Sequence, residues 1–398
     1  MRPFACGQCA SPVYFENVSC GRCGALLGFS PLLRRMLAFD PPPPAPAAWQ
    51  ARAIAPGEAA GVAAGSLLRP CANRLDHQLC NWMLDVGDQH AQCRSCRLTV
   101  LIPNLQVPLN LQRWRLFEQA KRRLVFTLLT LGLPPEASPE TLAESPPAAP
   151  PAAPPAAPPA APPRVAAGSF GLRFQLLADL PDQPPVVTGH DGGLITLNLA
   201  EADDVQREAT RVSLGEPQRS LLGHLRHEAS HYLQQRYIDG WPAQARCREV
   251  FGDERVDYPA ALARHYAQGA PADWQQHYVS AYASAHPWED WAETCAHYLL
   301  VVDAVQTAAA WGLTLAGPNI ARPQGADGPV QAAVDELVLR QWLPVAQFLN
   351  AMNRSLGQPD PYPYQMPDAV LAKMALVQSL LHEAALPTPA GTPLEPTP

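Results

Sequence analysis

GHLRHEASHY, Gly223 to Tyr232, puts three histidines and a glutamate into ten residues. Leu221, Leu222, Leu225, Ala229 and Leu233 recur around it at helical spacing, and Pro217 suits a helix's first turn. On such a helix His227 and His231 stand four apart, so both imidazoles leave the same face one turn from each other and can bind one ion. Glu228 lies on the adjacent edge, within reach of a metal-bound water. This is the HExxH arrangement, two zinc ligands and a general base. The competing reading is an amphipathic helix with solvated histidines, and a third ligand decides between them.

HPWEDWAETCAHYL, His286 to Leu299, reads as a second helix with Pro287 in its first turn. Glu289, Glu293 and His297 recur every four residues and share a face, while Trp288, Trp291, Ala292, Cys295 and Leu299 are available to pack it. Two carboxylates on one face of an apolar helix are costly to bury unless paired or bound to an ion. Both glutamates are therefore candidate ligands.

The N-terminal part is built differently. Eight of the ten cysteines fall in the first 96 residues. CGQC (Cys6, Cys9) and CGRC (Cys20, Cys23) are two tight turns, each offering two thiolates, and together they match a closed tetrahedral zinc site. Cys71, Cys80, Cys93 and Cys96 form a second such set, with only CRSC as a close pair. An exchange of pairs between the sets stays open, as does iron in place of zinc. Cys247 and Cys295 read as small buried apolar residues.

Residues 1–133 carry 14 Lys and Arg against 7 Asp and Glu; the remainder carries 15 against 29. Two zinc sites with four thiolates each contribute about −2 apiece, which reduces the N-terminal excess of positive charge to about +3. Its basic residues are scattered, so a nucleic-acid footprint is weak. No apolar run of about 18 residues appears, which argues against a membrane span. With no signal peptide evident, the cytoplasm is the expected compartment.

SPPAAPPAAPPAAPPAAPPR, Ser145 to Arg164, cannot form a packed core. As a stiff spacer rising about 3.1 Å per residue, it could hold two domains roughly 55 Å apart. The predicted organisation is a zinc-ribbon region over 1–133 ending in a closing helix (LQRWRLFEQAKRRLVFTLLTLGLP), a Pro/Ala-rich linker over 134–164, a catalytic domain over 165–386 and a disordered tail over 387–398. Pro41 to Gly65 is a second Pro/Ala-rich stretch. FGLRFQLLADL and GLITLNLAEAD read as strands, the second after the turn signal HDGG, and helices follow, so the fold class is α+β. GLITLNL comes just before the histidine-rich helix, where it is either an ordinary sheet strand or an edge strand able to align an extended peptide by β-addition.

In CGQC, CGRC, CRSC, TGHDGGLITLNLAEAD, RHEASHY, FGDERVDY and HPWEDWAETCAHYL, the chain resembles zinc-binding metallopeptidases that carry an N-terminal zinc ribbon and a gluzincin-like active site. The resemblance implies a zincin-like, mainly helical catalytic domain, and in zincin-like enzymes an edge strand aligns the extended peptide, the role for which GLITLNL is the candidate. It makes Glu289 the third zinc ligand and Glu293 the partner that orients a ligating histidine, with Glu293 the alternative ligand. Trp288 and Glu293 stand where the best-known gluzincins have Asn and Asp. Implied are one catalytic zinc, one or two structural zincs and a peptide or protein substrate. Tyr232, Tyr258, Tyr282, His286 and His224 are candidates for stabilising an oxyanion. The competing function is a non-catalytic adaptor that docks a protein partner through its ribbons.

Overall fold

In the computed structural model, residues 3–40, 48–52, 66–137, 170–180, 183–208, 220–240, 242–315 and 333–385 are described. The extended spacer, the tail over 387–398 and most of Pro41 to Gly65 lie outside them. The first cysteine set closes two knuckles flanked by β1 (Phe4–Ala5), β2 (Pro12–Val13), β3 (Leu26–Ser30) and β4 (Arg35–Phe39). β1 pairs with β2 and β3 with β4, both antiparallel. A second small sheet, β5 (Trp49–Gln50), β6 (Leu67–Pro70) and β7 (Met83–Asp85), carries α1 (Ala72–His77) between its last two strands.

β8 (Thr99–Leu101) then leaves the ribbon region, and α2 (Asn110–Thr130) follows. Beyond the spacer come β9 (Arg173–Leu177), β10 (Gly189–Asp191) and β11 (Leu194–Asn198). The four strands form one mixed sheet in the order β10-β11-β9-β8, in which β8 and β11 both run parallel to β9. Alternation sets its buried face: Phe174, Leu176, Ile195 and Leu197 point inward. Gly192 and Gly193, with φ of 51° and 81°, make the two-residue turn between β10 and β11, as the HDGG signal requires.

The helical layer is α3 (Leu221–Tyr237), α4 (Ala243–Phe251), α5 (Tyr258–Gln268), α6 (Pro287–Ala310), a π-helical turn (Glu336–Trp342), α7 (Leu343–Ser355) and α8 (Asp368–Ala385). The mixed α+β class is as expected. α3 starts later than Pro217 suggested, because Ser220 caps it by accepting the Gly223 N–H at 3.0 Å; Pro217 itself lies outside the described residues. α6 starts at Pro287, with His286 Nδ1 accepting the Trp288 N–H. Leu225, Ala229 and Leu233 of α3 and Trp291, Cys295 and Leu299 of α6 are fully buried. Each such large apolar side chain contributes about 1.5–3 kcal/mol of burial.

Two expectations change here. The helix predicted to close the N-terminal module also packs against α3, and Phe126 on it touches Phe15 and Phe29 of the ribbon at 5.4 and 5.7 Å. One continuous core runs from those ribbon aromatics to α8. The two domains, expected to be held far apart, meet at the described residues on either side of the spacer: the Leu172 N–H donates to Pro135 O at 2.7 Å. A Cβ on Gly171 would sit 2.5 Å from the Ala137 nitrogen, so only glycine allows that approach. The physical reason is strand pairing. β8 lies before the spacer and β9 after it, and their ladder holds the two halves side by side.

Candidate metal centre

His227 and His231 leave α3 on one face, with their Nε2 atoms 3.2 Å apart. The first turn of α6 brings Glu289 opposite them, its Oε2 3.1 Å from His227 Nε2 and 3.6 Å from His231 Nε2. Four ligands at 2.0–2.1 Å around a tetrahedral ion stand about 3.3 Å from each other. The three separations fit edges of that tetrahedron. The donor set fits as well. Glu289 is 1% exposed, yet its Oε2 makes no hydrogen bond, and neither does the buried Nδ1 of His231. A buried carboxylate oxygen left in that state is costly without a cation.

Supporting residues hold these donors. Glu293, one turn beyond Glu289, places Oε1 2.7 Å from His227 Nδ1, which directs the other ring nitrogen at Glu289 and His231. Glu293 Oε2 accepts from Ser280 Oγ, and Glu289 Oε1 from the Tyr258 hydroxyl, both at 2.7 Å. The Trp288 ring lies 4.8 Å from that of His231. Glu228, 5% exposed, stands beside the group with Oε1 3.3 Å from His224 Nε2. Burial would raise its pKa, but the bond from His224 and the charges of His227, His224 and His231 lower it to about 2. His224 shows the converse: burial opposes its charge, while Glu201 and Glu228 raise it to about 9.

The other candidates are placed as follows. The Tyr232 hydroxyl is turned away, donating to Pro135 O at 3.3 Å. His286 caps α6 and meets Val256 O with Nε2. Tyr258 is committed to Glu289, and the Tyr282 ring lies 6.1 Å from that of His227. His297, on the same face as Glu289 and Glu293, is drawn instead to Tyr362 and Tyr364. The strand at Gly193 to Leu199 is not at an edge. β11 is flanked by β9 and β10, and β10 is the outer strand next to α3.

Sequence reasoning missed His190 and Glu201. His190, on β10, stacks 6.4 Å from His231. Its Nε2 accepts the Gly193 N–H at 3.0 Å, and burial together with His231 lowers its pKa to about 3, keeping it neutral. HDGG is a turn signal, and TGHDGGLITLNLAEAD a motif of the family resemblance, but neither reading gave His190 or Glu201 a role.

The cysteines form two separate four-sulfur groups without exchange of pairs. Cys6 to Cys23 and Cys80 to Cys93 are 3.7 Å apart, sulfur to sulfur, and Cys9 to Cys20 is 3.6 Å. Bonds of 2.3 Å around a tetrahedral zinc predict about 3.8 Å. None of the ten cysteines is in a disulfide, and Cys247 and Cys295 are buried as expected.

Residues 161–380 match the family model described as "Putative zinc-binding metallo-peptidase", and residues 3–107 match a zinc-ribbon domain. The chain belongs to this metallopeptidase family. Uncharacterized proteins of Mycobacterium bovis and of two strains of Mycobacterium tuberculosis are each 38% identical to it over 386 residues, covering 97% of this chain and 96% of theirs. No solved structure matches. Among the described residues, no helix is long and apolar enough to cross a membrane.

Proposed function

We propose that the protein hydrolyses peptide bonds in a peptide or protein substrate, with one zinc ion held by His227, His231 and Glu289, and Glu228 as general base. Two further zinc ions sit in the cysteine groups as structural centres. The observation that carries this reading is the convergence of three buried donors at tetrahedral spacing beside an ionised, buried Glu228. Zinc bound there would supply a Lewis acid and a water of lowered pKa.

The chain's own groups do the rest. Glu228 takes a proton from the attacking water and returns it to the leaving amine. Glu293 keeps His227 in the tautomer whose Nε2 is free to ligate. β10, the outer strand, is where an extended substrate would add to the sheet, in place of the strand that follows it.

The test is metal content per chain together with cleavage of fluorescein-labelled casein. Three zincs are expected in both the wild type and Glu228→Gln, with hydrolysis in the variant reduced about 10²- to 10⁴-fold. Two zincs per chain, or a variant as active as the wild type, would refute the assignment.

A further inference from the structure

Glu228 is tied to a chain of polar side chains that the metal does not need. His224, one turn earlier on α3, places Nε2 3.3 Å from Glu228 Oε1 and Nδ1 2.6 Å from Glu201 Oε2. Glu201 comes from the short 3-10 turn Leu199–Ala202 that follows β11. Its Oε1 accepts from the Thr188 hydroxyl at 2.5 Å, and that hydroxyl oxygen in turn accepts the Asn198 N–H at 3.0 Å. The side chains of Glu201, His224 and Glu228 are 15%, 18% and 6% exposed, so the chain is largely shielded from water.

Its geometry has a direction. Both neighbours of His224 are carboxylates, which only accept: Nδ1 is hydrogen-bonded to Glu201, and Nε2 is in ion-pair contact with Glu228. An imidazole held at both ends cannot turn, and the carboxylate it grips loses its own rotation. Oε1 is the Glu228 oxygen nearest to His224. The far end of the chain is anchored at Asn198, the last residue of β11, and at Thr188, which precedes β10, so the base is referenced to the sheet as well as to its own helix. Ligating histidines are commonly oriented by such carboxylates; here the oriented group is the base.

We propose that Glu201 and His224 are positioning residues that fix the Glu228 carboxylate, holding Oε1 so that Oε2 faces the reacting water. The inference rests on the reading of Glu228 as general base.

The test uses the zinc-loaded full chain with ¹⁵N-labelled histidine. The His224 signals are assigned by their loss in His224→Gln. At pH 7, His224 is expected to show two hydrogen-bonded N–H protons. Glu228→Gln should shift the one on Nε2, and Glu201→Ala should abolish the protection of the one on Nδ1. On labelled casein, Glu201→Ala should lower kcat about 10- to 100-fold with KM and zinc content unchanged, and Glu201→Gln, which keeps an acceptor, should recover part of the loss.

A single N–H proton on His224, a Nε2–H signal indifferent to Glu228→Gln, or kcat within twofold of wild type in Glu201→Ala would each overturn the proposal. A wild type that binds zinc but does not cleave casein counts against the function proposed above, and the resonance pattern then decides the hydrogen-bonded chain by itself.

Discussion

Glu293 touches no ligand position of its own, yet it decides how His227 presents itself. With Oε1 on His227 Nδ1 and Oε2 on Ser280 Oγ, it fixes the ring's tautomer and plane. Glu293→Ala should weaken zinc binding at this centre about 10- to 100-fold, measured by competition with a chromophoric chelator, while the cysteine centres keep their metal. Glu289→Ala should empty the centre at the same zinc concentration. Equal effects from the two substitutions would mean that their roles are wrongly divided. The pair was legible in the sequence because helical periodicity alone puts residues four apart on one face. His190 and Glu201 were not. They reach the centre from a strand and a turn, and no spacing rule relates either to the helix bearing His227.

At the scale of elements, α3 is also gripped from the side away from His227 and His231. Arg226, beside His227, donates to Asp303 of α6 at 2.5 Å, and Thr127 of α2 donates to the same carboxylate at 2.7 Å. All three are buried, at 7%, 6% and 2% exposure. Asp303→Ala strands a buried guanidinium and should cost about 3–5 kcal/mol. Thr127→Val, which removes one donor from an acceptor that keeps another, should cost about 1 kcal/mol. Urea unfolding measures both, and an Asp303→Ala cost below that of Thr127→Val would refute the account. The helices themselves were readable from their caps and stripes, and β9 and β11 from alternation. Which strand lies outermost was not, because alternation tells a strand which face is buried and nothing about its neighbours.

At the scale of the whole molecule, the ribbons and the part that follows the spacer share a core and a sheet. A protease site inserted between Pro150 and Pro151 and then cut should leave two fragments that co-elute on size exclusion. A chain beginning at Val165 should lack a cooperative unfolding transition, since it leaves β9 without β8 and α3 without α2. Separation of the cut fragments, or a well-folded truncation, would contradict this. The spacer's composition announced that it has no core of its own. It could not announce where its ends are anchored, which depends on a strand pairing across it.

That Pro135 and Leu172 meet has an evolutionary and practical corollary. The chain on either side of the intervening stretch is joined at one point, so a change in the length of that stretch need not move either flank. Doubling a loop of this kind adds only about 0.6 kcal/mol of closure entropy. Repeat units could therefore be gained or lost by replication slippage with little selective consequence. The same seam would accept a fluorescent reporter domain without displacing either flank.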